Sequence, residues 1–196
     1  MFKISNVNVY GLENAIRVSK FPMAVNLESC TSEPTKTTKS LASCQTGLGH
    51  DNFLKGIVVQ FDMRFSNKMS VELERYHFID FISSQSTMHK ITKFNIKEQC
   101  NEYVDDEIIK IVQKKVDRYN LLNDKNTDKA KRLYLEILYN VPSGFELQAG
   151  FTTNYQQLKT MYRQRKTHRL PEWKEFCKWV ETLPMFKELV LEKGEE

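Results

Sequence analysis

Residues 69–91, MSVELERYHFIDFISSQSTMHKI, constrain this chain most, because they set charged groups among large apolar ones. At about 100° per residue, Val71, Arg75, Phe78, Ile79 and Ile82 fall on one helical face. Leu73, Tyr76 and Phe81 cover much of the remainder, so the spacing predicts a helix buried nearly all round. A guanidinium in that setting needs an anion or several acceptors, since an unpaired buried charge is very costly. Two kinds of partner would satisfy Arg75. One is Glu72, three residues back on the same helix; the other is a ligand phosphate or an electron-rich ring. The stretch ends in the polar cluster Ser83-Ser84-Gln85-Ser86, closed by His89.

A chain of 196 residues suits one domain, residues 1–196, with a sizeable core. A formal charge of +4 permits a phosphate-bearing ligand, but no block of like charge gives a strong nucleic-acid signal. No uncharged apolar run is long enough for a bilayer, and Met1-Phe2-Lys3 does not open a signal peptide. Cys30, Cys44, Cys100 and Cys177 stand far apart, which reads as reduced thiols in a cytoplasmic protein.

In chain order, residues 2–10 alternate as a strand ended by Gly11, and 12–20 read as a short helix. Residues 27–46 are rich in Ser, Thr and Lys and read as a surface loop. Residues 54–65 are the strongest strand, with Gln60, Asp62 and Arg64 alternating against Phe61, Met63 and Phe65. Ser66-Asn67 then caps the helix described above. Helical periodicity returns at 103–122 and 130–139, a strand at 145–153, and helices at 154–169 and 171–183. Residues 188–196 read as a fraying tail. Strands interspersed with helices predict an α/β (α+β) domain with a central mixed sheet flanked by helices.

His50, His77, His89 and His168 match no zinc-helix spacing, so no metal site is expected. Cys177, in FCKW on a helix, reads as a core residue rather than a nucleophile. Within 152–169, Asn154 and Arg165 lie about three full turns apart and share a face with Leu158, Met161 and Tyr162. Arg165 therefore points inward or into an interface. It either pairs with a core carboxylate or, with the Asn154 amide, meets a nucleotide or flavin.

Taken together, these segments resemble the flavin-dependent thymidylate synthases. Gly49-His50 precedes a strand, and Glu72-Leu73-Glu74-Arg75-Tyr76-His77 stands where that family has Gln-x-x-Arg-His-Arg. Ser83–His89 stands for its Asn-x-x-Ser-x-Arg-Tyr after a one-residue insertion. Val141-Pro142, the strand at 145–153, Thr152-Thr153-Asn154, Arg165 and His168 follow in the family's order. The resemblance implies the family's fold, a homotetramer, and reductive methylation of dUMP with FAD, NADPH and methylenetetrahydrofolate. It implies His50, Arg75, His77, Asn154, Arg165 and His168 on the flavin side. Glu72, Ser84, Gln85, Ser86 and Arg165 would serve the pyrimidine nucleotide, with Ser86 and Arg75 in catalytic positions.

The departures are also specific. Met88 stands where the family keeps a nucleotide-binding Arg, Leu138 near another, and Gln156 replaces the Arg of Asn-x-Arg. Losing these cations would remove charge-assisted bonds to the nucleotide phosphate, about a few kcal/mol together. Arg163, Lys159 and Lys166 are the cations left to substitute. The alternative expectation is a catalytically degenerate nucleotide- or flavin-binding or interaction protein that keeps the fold.

Overall fold

The computed structural model describes residues 2–191. Four strands, β1 (Lys3–Tyr10), β2 (Val58–Ser66), β3 (Asp80–Ser84) and β4 (Glu146–Asn154), form one sheet in the order β1-β2-β4-β3. The Tyr155 N–H donates to the Ile57 carbonyl (3.0 Å), and the Asn67 N–H donates to that of Phe145 (2.9 Å). These two bonds close β2 and β4 at opposite ends, so the strands run antiparallel. The Gln85 N–H donates to Gln148 O at 2.9 Å where β3 leaves β4. On the other side Asn6 bonds the Asp62 carboxylate at 2.6 Å, and Gly11 lies against the Gly56 carbonyl. The expected α/β class with a central sheet is present, but every pair is antiparallel rather than mixed. Strand direction is set by how each connection returns to the sheet, which the alternation of side chains does not encode.

The helices among the described residues are α1 (Leu12–Val18), α2 (Lys36–Ser43), α3 (Asn67–Leu73), α4 (Thr87–Lys90) and α5 (Ile96–Gln99). They continue with α6 (Asp106–Asn120), α7 (Asp128–Tyr139), α8 (Tyr155–Arg165) and α9 (Pro171–Val180). None is long and apolar enough to cross a membrane.

The described residues group into two compact units, and the strands pass through both. The first comprises 2–3, 63–75 and 82–150. Its core is Ile91, Ile96, Ile109, Val112, Val116, Ile137 and Phe145, with α6 and α7 packed together. Asp105 starts α6 by accepting the Glu107 N–H at 2.7 Å, and Ser66 starts α3 by accepting that of Met69 at 3.2 Å. Arg64 of β2 pairs at 2.8 Å with the buried Glu146 of β4.

The second unit comprises 4–62, 76–81 and 151–191. Its core is built on Ile16, Leu54, Ile57, Tyr155, Trp173, Phe176 and Phe186, all fully buried. Phe61 of β2 stacks on Phe151 of β4 with ring centroids 5.5 Å apart. The alternation expected around Phe61, Met63 and Phe65 is realised: these three are buried and Gln60 is exposed.

Three further expectations fail. The long helix over 69–91 does not form: α3 stops at Leu73, β3 occupies Asp80–Ser84, and only α4 follows. Phe78-Ile79-Asp80-Phe81-Ile82 is also a short, largely apolar run rich in aromatic and β-branched residues, which suits a strand. Pairing with β4 resolves that ambiguity in favour of a strand. Val71, Phe78 and Ile82 are consequently exposed, and so is Arg75. The loop over 27–46 contains α2, capped by Thr35, with Thr38 and Ala42 buried on its inner side. At the expected tail, Lys187–Leu191 forms a π-helical turn that buries Leu189 and Val190. Residues 192–196 lie outside the described residues.

Candidate functional site

In the second unit two of the candidate residues, Arg165 and His168, meet Trp173 near the C-terminal end of α8. Arg165 is buried, as its spacing from Asn154 predicts. Its Nε donates to the Tyr76 hydroxyl at 2.8 Å, and that hydroxyl donates to Gln164 Oε1 at 2.9 Å. The guanidinium carbon lies 4.7 Å from the Trp173 ring centroid and 5.5 Å from that of Tyr76. Two aromatic faces therefore hold the cation in place electrostatically. His168 stands edge-on to the same tryptophan at 6.4 Å, and its Nδ1 accepts the Leu170 N–H at 3.2 Å.

Asn154 has a plainer role. It is the N-cap of α8, its side-chain oxygen accepting the Gln157 N–H at 2.9 Å. Its amide nitrogen keeps donor capacity. His50 and His77 are both exposed, the first in the turn after Gly49 and the second just before β3.

A buried polar cluster lies one turn further into α8. Lys159 and Asp51 form an ion pair of 2.6 Å, with side chains 0% and 1% exposed. Lys159 Nζ also donates to Ala42 O at 2.7 Å, and Gln156 Nε2 donates to Asp51 Oδ1 at 2.8 Å. Burial raises the Asp51 pKa, but the Lys159 and Gln156 hydrogen bonds outweigh it and hold the carboxyl below its usual value. Arg163 is committed nearby: it donates to Ser43 O at 2.8 Å, Cys44 O at 3.0 Å and Thr46 Oγ1 at 3.2 Å. Cys177 is buried, and burial with the Glu181 charge pushes its thiol up to about 11, consistent with a core role.

The other candidates belong to the first unit. Glu72 lies on α3, 3.7 Å from Lys68, and Arg75 is exposed just beyond that helix. Ser84 is exposed at the end of β3. Gln85 extends that strand, its Oε1 accepting the Gln148 N–H at 3.0 Å. Ser86 is half-buried at the start of α4, and its hydroxyl makes no capping bond there. Met88 is exposed and its carbonyl accepts the Tyr134 hydroxyl at 2.7 Å, while Leu138 packs against the core.

With this geometry in hand, solved structures give a match over the whole chain. Thymidylate Synthase X from Helicobacter pylori, a structure with FAD and dUMP, superposes with a TM-score of 0.72. The match covers 99% of each chain at 13% sequence identity. A second structure of the flavin-dependent enzyme from the same organism, complexed with FAD and dUMP, gives 0.69 at 12% identity. It covers 95% of this chain and 100% of that one. The chain has the fold of a flavin-dependent thymidylate synthase. No family model matches the sequence, and no curated protein sequence matches it significantly.

Sequence reasoning missed the environment of Arg165 and the Asp51–Lys159 pair. Trp173 follows Arg165 by eight residues across a Pro171 break, so no helical periodicity links them. Lys159 reads as one cation among several on a basic helix. Its only sequence cue is a place between Leu158 and Met161, both on the buried side.

Proposed function

We propose that this protein binds FAD and a pyrimidine nucleotide as a flavin-dependent thymidylate synthase-like protein, with methyl transfer to dUMP weakened or lost. The end-to-end fold match to structures holding FAD and dUMP supports this reading most. On it, His50, His77, Asn154, Arg165 and His168 of the second unit serve the flavin. Glu72, Arg75, Ser84, Gln85 and Ser86 of the first serve the nucleotide, with Ser86 and Arg75 in the catalytic positions.

The flavin-side residues fit an anionic, hydrogen-bonding cofactor. His50 and His77 are exposed imidazoles, and Asn154 keeps an amide donor. Arg165 contributes positive charge held by Tyr76 and Trp173 rather than a mobile contact. Bound FAD would supply the redox chemistry, with NADPH as reductant and methylenetetrahydrofolate as carbon donor. The chain's own residues bind, orient and polarise.

The nucleotide phosphate fits less well, and this favours a binding protein that has lost catalysis. Met88 and Leu138 are apolar, and Gln156 is bonded to Asp51. Of the cations that could replace the missing arginines, Lys159 is sealed in its ion pair and Arg163 is held by three acceptors. Lys166 remains exposed just after the end of α8. FAD should bind with a dissociation constant in the micromolar range or weaker, about −8 kcal/mol at most. Replacing the exposed His77 with Ala should weaken it by about 1 kcal/mol without altering the thermal midpoint. A fluorescence titration in which FAD does not bind the unmodified protein would exclude the flavin reading. Tritium release from the C5 position of dUMP, with all cofactors supplied, should be slow or absent. Turnover on the order of 1 s⁻¹ would show the enzyme to be intact.

A further inference from the structure

We propose that a lysine-lined groove along α6, in the first unit, binds single-stranded nucleic acid. Two adjoining cavities of about 620 and 720 Å³ share Thr92, Lys93 and Asn120 in their walls, so they form one open groove. The first contains a pair of aromatic rings, Tyr119 and Tyr134, with centroids 5.0 Å apart. The Tyr134 hydroxyl is anchored on Met88 O, and the Lys125 ammonium sits 5.5 Å above the Tyr119 ring. No carboxylate lines this half.

The second half continues the charge. Lys110 and Lys114 stand one turn apart on α6, with Lys97 beside them, and Asp117 is the acidic residue in this wall. Asp117 already accepts a bond from Gln113 at 2.8 Å. Lys97 and Lys131 have distant carboxylate neighbours, Asp106 at 3.7 Å and Asp128 at 3.9 Å. Lys93, Lys110, Lys114 and Lys125 have no carboxylate partner among the described residues. These lysines come from separate segments of the chain, so the sequence shows no basic block.

A cationic channel that follows a phosphate backbone, with tyrosines placed to stack bases, is what a single strand requires. A mononucleotide would occupy the tyrosine half and leave the row Lys97, Lys110 and Lys114 without a counterpart. A duplex would hide its base faces from Tyr119. Met88, at the position of the family's nucleotide-binding Arg, borders the tyrosine half, but the lysines and tyrosines that carry the inference are none of those assigned above to flavin or nucleotide.

The test is fluorescence anisotropy of the full chain with a labelled oligothymidylate about twelve nucleotides long, within the span such grooves occupy. Binding should weaken with salt, the logarithmic slope being about −0.7 per phosphate engaged. Lys93→Gln, Lys110→Gln and Lys125→Gln should each reduce that slope by about 0.7 with the melting temperature unchanged. Tyr119→Leu should weaken binding about tenfold, and a duplex of matched length should bind less well. The proposal is overturned if low salt gives no binding, or if the triple lysine variant binds as tightly as the parent. It is equally overturned if dUMP displaces the oligonucleotide at comparable concentration or if the duplex binds equally well. The FAD titration is a separate readout, so failure here leaves the flavin reading standing.

Discussion

Lys159 is a charged residue with no access to water, and Asp51 is the counter-charge that makes its burial tolerable. Replacing Lys159 with Met strands a buried carboxylate and should cost about 3–5 kcal/mol in urea unfolding. Adding Asp51→Leu should restore much of that loss, because an apolar pair of similar volume often matches a buried ion pair. If the double variant is no more stable than the single one, the pair is not the reason for the loss. The same carboxyl gives a pH dependence. Its folded pKa lies below the unfolded value of 3.8, so its stabilisation is present above that pH. It is lost as pH falls below 3.8 through the folded value, and an acid titration of Asp51→Leu should lack this component. Cys177, with its thiol pushed up to about 11, should stay unreactive toward thiol reagents at neutral pH in the native protein. Its labelling on unfolding is the control.

Among the elements, β1 and α1 meet at a turn that only glycine suits. Gly11 has φ of +76°, and a Cβ there would collide with the Gly56 backbone carbonyl. Gly11→Ala should therefore destabilise by about 2 kcal/mol or more, combining left-handed strain with the clash. A denaturation midpoint equal to the parent's would refute this. The boundaries of β1, α6, α7, β4 and α8 follow closely from periodicity, caps and breakers, because each carries one dominant pattern. Residues 69–91 carry two. Val71, Arg75, Phe78 and Ile82 keep helical spacing, while Phe78 to Ile82 are a short aromatic and β-branched run of strand character, and local sequence does not choose between them. Thr153 Oγ1 bonds Phe78 O at 2.7 Å, and Gln85 pairs with Gln148, so β4 makes the choice. α2 was hidden for a different reason: its polar sequence buries only Thr38 and Ala42, too little apolar surface for periodicity to register.

For the whole molecule, the consequence of that choice is an edge. β3 ends the sheet, all five of its residues are exposed, and Phe81 and Ile82 stand on it with Phe78 just before. An apolar edge strand left open invites pairing with another chain. We expect a homo-oligomer, most simply a tetramer, and light scattering should report a mass well above 23.1 kDa at micromolar concentration. Ile82→Glu should lower that mass while leaving the subunit folded, because Ile82 is 60% exposed within the chain. A parent protein that scatters as a 23.1 kDa monomer would contradict the expectation. The sequence by itself determined the α/β class, most element positions, the inward direction of Arg165 and a resemblance that the fold match supports. Those features depend on local periodicity, capping and motif order, which a linear chain records directly. Tertiary structure decided that Asp80–Ser84, within the stretch at 69–91, becomes an exposed edge strand, that Lys159 is spent on Asp51, and that scattered lysines line one groove. Each of these depends on partners dozens of residues away, and their pairing energy outweighs the small differences in local preference that the sequence displays.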